Sequence, residues 1–329
     1  VWSKDIRLTT SNTITYDDSF GDHSLRLLVG QEAMSEKYEY LGGDSPSVDP
    51  LIPYPTTSTA AKDQVLYTLS EETLLSFFGV ADYNYASKYF LQASVRADGS
   101  SLFGSQNKWG VFWSLGGSWN ITNENWMKPA QPWLSSLKLR ASYGVNGNNN
   151  ISPYRAYGTY ASVSYANLIG MAPARPENPK LSWEKNKTWN AGLDFGFFDE
   201  RLTGSLDVYS RKTTDMLLSK QVPYTTGFGS NFMNVGAIRN NGVELQLEGV
   251  LMRTSDWYWT VGFNVAFNRS KVLDLADSEY LSVLDDRIPS SSSNSSTTVR
   301  IVKGKSLYTF YTRDYYGVNP SNGAPLWRD

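Results

Sequence analysis

Cysteine is absent from the 329 residues, and histidine occurs once, as His23. Without cysteine there is no disulfide framework, thiolate nucleophile, cysteine-ligated zinc or iron–sulfur cluster. A single histidine excludes a multi-histidine metal site. Charge is also sparse: 30 Lys and Arg stand against 32 Asp and Glu, a net charge of −2, and charged residues make up 19%, below the roughly 25% of an ordinary soluble domain. A nucleic-acid binder would carry a basic excess, so the near-zero net charge argues against that class. No apolar run reaches the ~18 residues of a transmembrane helix, and Val1-Trp2-Ser3-Lys4 does not read as a secretory signal. Mean hydropathy is −0.39, yet a membrane β-barrel alternates lipid-facing and water-facing side chains and so keeps a mild average.

Catalytic signatures are missing too. There is no His-Glu-x-x-His, Gly-x-Ser-x-Gly, P-loop or dinucleotide glycine fingerprint. The acid pairs Asp17-Asp18 and Asp285-Asp286 read as solvated turn formers. Asp98, Asp285 and Asp286 lack the spacing of a calcium loop. No catalytic residue, cofactor or metal is therefore expected, and His23, after Gly21-Asp22, reads as an exposed strand-edge residue.

What the chain does have is aromatic residues, 14% of the total, and a period of two. Tyr89, Leu91, Ala93, Val95 and Ala97 alternate with Phe90, Gln92, Ser94, Arg96 and Asp98. Leu137, Leu139, Ala141, Tyr143 and Val145 alternate with Lys138, Arg140, Ser142, Gly144 and Asn146. Val243, Leu245 and Leu247 alternate with Glu244, Gln246 and Glu248, and 257–268 sets Trp257, Trp259, Val261, Phe263, Val265 and Phe267 against smaller or polar residues. With runs at 4–16, 24–36, 74–86, 108–121, 185–198, 202–216 and a weaker one near 308–318, about eleven strands are expected. Many match the 9–11 residues that a tilted strand needs to cross a bilayer, whereas soluble strands centre on about 5–6.

The connections alternate. Compact ones fall at 17–23, 86–88, 122–136, 199–201 and 253–256, and long ones at 37–73, 99–107, 147–184, 217–238 and 271–307. In an up-and-down meander this sorts tight turns to one end and long loops to the other, as in outer-membrane barrels. Trp109, Trp113, Trp119, Trp126, Trp133, Trp183, Trp189, Trp257 and Trp259 gather near strand ends, where a barrel carries aromatic girdles. Arg96, Arg140, Asp194, Glu244 and Glu248 fall on the polar face, which in a wide barrel lines the water-filled or plugged lumen. In a soluble sandwich the same face would simply be outside. No domain boundary is evident, since Pro-rich 46–55 and Ser-rich 290–296 lie within long loops.

Several stretches resemble the SusC/RagA family of TonB-dependent outer-membrane transporters of Bacteroidetes. One runs Lys88-Tyr89-Phe90-Leu91-Gln92-Ala93-Ser94-Val95-Arg96-Ala97-Asp98-Gly99-Ser100-Ser101-Leu102-Phe103-Gly104, with Trp109-Gly110-Val111-Phe112 after it. Another is Asn178-Pro179-Lys180-Leu181-Ser182-Trp183-Glu184, followed by Gly192-Leu193-Asp194-Phe195-Gly196 and Leu206-Asp207-Val208-Tyr209. A third is Asn234-Val235-Gly236 with Asn241-Gly242-Val243-Glu244-Leu245. Leu102 departs from the family pattern, in which a basic residue is common there; as a loop position it carries little weight.

The resemblance implies an all-β, antiparallel up-and-down transmembrane barrel, with residues 1–329 forming about half of a 22-stranded wall. Signal peptide, TonB box, plug and closing C-terminal strands are not visible in this stretch. It implies active import of oligosaccharides or oligopeptides, a SusD-like surface lipoprotein as lid, and energy from TonB acting through the plug. Tyr54, Tyr154, Tyr157, Tyr160, Tyr165, Tyr224 and Phe228, on the long loops, are the candidates for stacking on substrate; the same rings could instead pack loops against one another or the lid. A β-rich glycan-binding protein, soluble or surface-attached, and a passive porin are the alternatives.

Overall fold

The computed structural model describes residues 1–44, 64–165, 168–275, 280–283, 298–307, 309–311 and 314–328. Its strands are β1 (Trp2–Phe20), β2 (His23–Asp44), β3 (Gln64–Tyr85), β4 (Tyr89–Ser100), β5 (Trp109–Asn120), β6 (Leu134–Asn148), β7 (Thr159–Tyr165), β8 (Leu168–Arg175), β9 (Glu184–Phe197), β10 (Leu202–Thr214), β11 (Leu217–Gln221), β12 (Ser230–Asn234), β13 (Ala237–Arg253), β14 (Tyr258–Asp274), β15 (Tyr280–Val283), β16 (Thr298–Val302), β17 (Thr309–Tyr311), β18 (Asp314–Val318) and β19 (Pro325–Arg328). Ten of them form one sheet, in the order β1-β2-β3-β4-β5-β6-β9-β10-β13-β14. The remainder are small hairpins and a three-stranded patch.

The chain divides into two compact units, one of residues 1–119, 144–184 and 221–234, the other of 120–143, 185–220 and 235–329. Strand β6 contributes to both. Its Gly144 lies beside Ser114 of β5 in the first, and its Ser136 and Arg140 lie beside Gly196 and Gly192 of β9 in the second.

In the first unit the register pairs Gly30 with Phe78, Phe78 with Arg96, and Val95 with Trp113. In the second, Leu193, Leu206, Leu245 and Val265 stand opposite one another across four strands. Directly opposed residues share a face, so in each unit one face is apolar and the other polar. The apolar face is bare: Val95 is 51% exposed, Val261 46%, Phe263 55% and Phe267 70%. A two-layer sandwich would seal these side chains. Contiguous apolar surface of this extent marks a face that hydrocarbon or another partner must cover, and the alternation matches a transmembrane barrel wall.

Tight turns gather at one end within each unit. In the first, Ala86 N–H reaches the Asp22 carbonyl at 2.7 Å, joining neighbouring turns. In the second, Phe198 N–H reaches the Trp133 carbonyl at 3.0 Å. Two short 3-10 helices, Ile121–Asn123 and Asn125–Ala130, fill the longest of these connections. Aromatic rungs mark the same end: Tyr85, Tyr89 and Trp119 stack at 6.3 and 6.2 Å, and Trp133 stacks on Phe197 at 6.1 Å. At the other end of the first unit's apolar face, Trp109 stacks on Phe77 at 6.3 Å. The ten steps from Tyr89 to Gly99 span about 33 Å along the strand, or about 23 Å across a membrane at ~45° tilt, close to the ~25 Å apolar band of such barrels.

Several expectations change. The eleventh strand, near 308–318, is two short pieces, β17 and β18, outside the ten-stranded sheet. β2 and β3 are 22 residues each and run well into the stretch expected as the loop 37–73. The loops at 147–184 and 217–238 contain hairpins, β7–β8 and β11–β12. His23 is half-buried rather than exposed, stacked on Phe20 at 5.1 Å and hydrogen-bonded to the Tyr83 hydroxyl at 2.7 Å. Trp183 is not a girdle residue: only 5% of it is exposed.

Candidate functional site

The polar face carries two arginine forks. In the first unit Arg96 donates to Asp98 at 2.6 Å and to Glu32 at 3.0 Å, with its guanidinium 5.2 Å from the centre of the Phe78 ring. That ring lies over Gly30, where a Cβ would sit 2.3 Å from it. A cleft of about 390 Å³ opens here, lined by Phe78, Ser94, Asp98, Phe112 and Asn146 among others. In the second unit Arg140 bridges Asp194, at 3.1 Å, and Asp207, at 2.6 Å, while Asn190 donates to the other Asp207 oxygen at 3.3 Å. Arg140 lies over Gly192, where a Cβ would meet its guanidinium carbon at 2.5 Å. By register Glu244 stands opposite Asp207, and Glu248 opposite Thr203, on this same face. Each fork neutralises carboxylates in a setting only partly reached by water, where unpaired charge is costly.

Above the aromatic belt of the first unit, Arg7 pairs with Glu36, and Glu72 stands opposite Glu36 in the next strand. Burial first, and the like charge of Glu36 second, push the Glu72 carboxyl above the ordinary carboxylate range.

The long-loop end of this unit is tied into a knot, built from the three stretches quoted above. Leu102, Phe103, Phe112, Ala156, Leu181 and Trp183 form its buried centre. Phe103 and Phe112 pack against Trp183 with centroids 4.9 and 5.2 Å away. Gly104 N–H donates to the Leu181 carbonyl at 3.1 Å, and a Cβ on Gly104 would sit 2.1 Å from the Pro179 oxygen. Asn234 and Ser182 exchange two hydrogen bonds, at 2.6 and 2.7 Å, and Asn178 donates to the Phe232 carbonyl at 2.7 Å. Arg155 covers the Phe232 ring at 5.5 Å. Leu102, at the position where the family pattern commonly has a basic residue, is 2% exposed in this centre, because the loop turns inward. No local pattern revealed the knot. Its hints were three glycines, Gly99, Gly104 and Gly110, placed where backbone and rings crowd.

Tyr154, Tyr157, Tyr160, Tyr224 and Phe228 all belong to this unit, as does Tyr165 in β7, and Tyr54 lies outside the described residues. Tyr154 is partly committed to packing: its hydroxyl accepts the Glu71 N–H at 3.1 Å and its carbonyl accepts Arg175 at 3.2 Å. Tyr160 is 68% exposed and Tyr224 88%. Phe228 is half-buried.

A family model described as TonB dependent receptor-like, beta-barrel matches residues 2–325. The chain is 32% identical to the TonB-dependent receptor SusC of Bacteroides thetaiotaomicron, over 99% of this chain and 33% of that protein. It is 33% identical to TonB-dependent receptor P3 of Formosa agariphila, over 96% of this chain and 32% of that one. The solved structure of the RagAB peptide transporter superposes with a TM-score of 0.86 at 30% identity, over 99% of this chain and 35% of that one. The outer-membrane transporter YddB from Escherichia coli, 10% identical with a TM-score of 0.56, shares the fold alone. The chain thus spans about a third of the length of the curated relatives it matches.

Proposed function

The chain belongs to the TonB dependent receptor-like β-barrel family, and from that premise we propose that it is part of the wall of an active transporter that imports oligosaccharides or oligopeptides across the outer membrane. In this reading residues 1–329 are all barrel domain, and the remaining strands and a plug are supplied by sequence corresponding to the other two-thirds of its relatives. A SusD-like lipoprotein covers the loop end, and TonB moves the plug.

The observation that carries the reading is the two-sided sheet: a bare apolar face backed by a polar face held by the Arg96 and Arg140 forks. Lipid satisfies the first, and a lumen holding water or plug satisfies the second. The knot of Phe103, Leu181 and Trp183 supports the transport role, because it holds the loops that carry Tyr157, Tyr160 and Tyr224 in fixed positions at the mouth. Exposed rings on a rigid frame suit stacking on sugars or peptide side chains.

The test is growth and uptake in the native host on defined oligosaccharides and on oligopeptides as sole nutrient. Deletion of the full-length gene and inactivation of TonB are each expected to abolish uptake of one substrate class. Uptake that survives loss of TonB would make the barrel a passive pore, and full-length protein recovered in the soluble fraction would make it a binding protein. Co-purification of a surface lipoprotein with the tagged transporter tests the lid.

A further inference from the structure

On the apolar side of the second unit, the face changes character at its loop end. Lys187 stands directly opposite Lys212, Lys212 opposite Arg239, and Arg239 opposite Lys271. Four adjacent strands therefore place four cations in one unbroken row. One rung nearer the membrane centre the register runs Trp189, Ser210, Asn241 and Arg269, and the next runs Ala191, Val208, Val243 and Phe267. Like charges directly opposed across strands destabilise a sheet. Among the described residues none of Lys187, Lys212, Arg239, Arg269 and Lys271 has an ion pair. In the first unit, by contrast, Lys37 lies 3.0 Å from Glu39 and 4.0 Å from Glu71.

The row's height fixes what it meets. From the Phe197 rung at the turn end to the Lys187 rung is ten residues, about 33 Å along the strand and about 23 Å across the membrane at ~45° tilt. That is the thickness of the apolar band, so the cations sit at its far boundary, in the extracellular leaflet. A depression of about 680 Å³ lies there, bounded by Tyr143, Trp189 and Phe267 and by Lys187, Lys212 and Arg239. Its aromatic walls suit acyl chains or sugar faces, and its basic rim suits anions.

We propose that the row Lys187, Lys212, Arg239 and Lys271, with Arg269 beneath it, binds the phosphate groups of a phosphorylated lipid in the extracellular leaflet. The phosphates supply the negative charge that the sheet does not, and the acyl chains continue down the apolar rungs. A free anion would satisfy the row but leave the aromatic depression empty, so the assignment is to lipid. It rests on the outer-membrane placement of the barrel.

The experiment uses the full-length transporter in phosphatidylcholine nanodiscs doped with diphosphoryl lipid A, and reads bound lipid by native mass spectrometry. The expected result is selective retention of diphosphoryl lipid A over its dephosphorylated form. Each cation removed is expected to weaken retention about fivefold, and the combined variant K187Q/K212Q/R239Q/K271Q at least about 100-fold. Equal retention by wild type and variant, or equal retention of the dephosphorylated lipid, would overturn the proposal. So would competition by millimolar inorganic phosphate alone, which would reduce the row to an anion site. Heat-modifiable gel mobility reports whether each barrel is assembled. Should the combined variant not assemble, Lys212→Gln and Arg239→Gln singly carry the test, and unchanged retention in both overturns it. A wild-type protein that does not insert at all sinks the membrane reading, whereas normal insertion without lipid preference sinks only the lipid site.

Discussion

Trp183 donates its indole N–H to the carbonyl of Lys108 at 3.0 Å, across 75 residues of sequence. Around that bond the Phe103 and Phe112 rings close, and the loops after β4 and before β9 become one body.

Removing that ring should open the knot without unseating the barrel. Trp183→Ala is expected to cost about 3–5 kcal/mol locally, as for other buried aromatic truncations. Limited proteolysis of the full-length protein should then cut within 99–108 or 176–183, while the heat-modifiable band stays. Trp183→Phe keeps most of the packing but strands the Lys108 carbonyl, and should cost about 1–3 kcal/mol.

Gly104→Ala should behave like Trp183→Ala although it adds only a methyl group. The new Cβ would meet backbone, the Pro179 oxygen at 2.1 Å, and backbone cannot swing aside as a side chain can. Protease sensitivity of the loops, with unchanged membrane insertion, is the expected reading.

Arg140→Gln leaves Asp194 and Asp207, on the same face of adjacent strands, without their shared cation. A loss of about 1–3 kcal/mol in urea unfolding from micelles is expected. Adding Asp207→Asn should recover part of it, giving a coupling energy of about 0.5–3 kcal/mol in the double-mutant cycle. Additive losses would show that the fork is not an energetic unit.

Depth along the apolar face should grade the cost of charge. Leu206 and Val265 lie on the middle rung, opposite Leu245, while Val261 lies near the turn end, opposite Gly249. Leu206→Arg should therefore cost about 2–4 kcal/mol and Val261→Arg only about 0–1. Equal costs at both depths would argue against a bilayer on this side.

Glu72 gives a pH signature. Its carboxyl is held above the ordinary value by burial and by Glu36, so the folded state holds this proton more tightly than the unfolded chain does. The favourable contribution is complete below the ordinary carboxylate value and is lost as pH rises through the raised one. Glu72→Gln should gain stability relative to wild type across that window, with the gap growing as pH rises. A gap that stays flat with pH would remove the assigned cause.

Much of the wall was legible in the sequence because a period of two with strong apolar contrast survives in 89–98 and 257–268. The tight turns fell close to their expected places for the same reason, since contrast stops where the chain leaves the apolar band. β2 and β3 outran expectation because Glu36, Tyr38 and Tyr40 continue the strand above that band, where neither face is greasy and alternation carries no signal. Trp183 was misassigned because a tryptophan beside a strand end looks the same whether it faces lipid or a knot, and the difference lies in Lys108 and Phe103, far away in sequence. The cationic row was invisible for a related reason. Lys187, Lys212, Arg239 and Lys271 are unremarkable one by one, and only the register of four strands lines them up.

Because the largest greasy surface of this sheet points away from the protein, its folding free energy is a joint property of chain and surroundings. A melting midpoint measured in one detergent belongs to that detergent. Comparisons among variants are meaningful only when the amphiphile, its chain length and its headgroup charge are held constant.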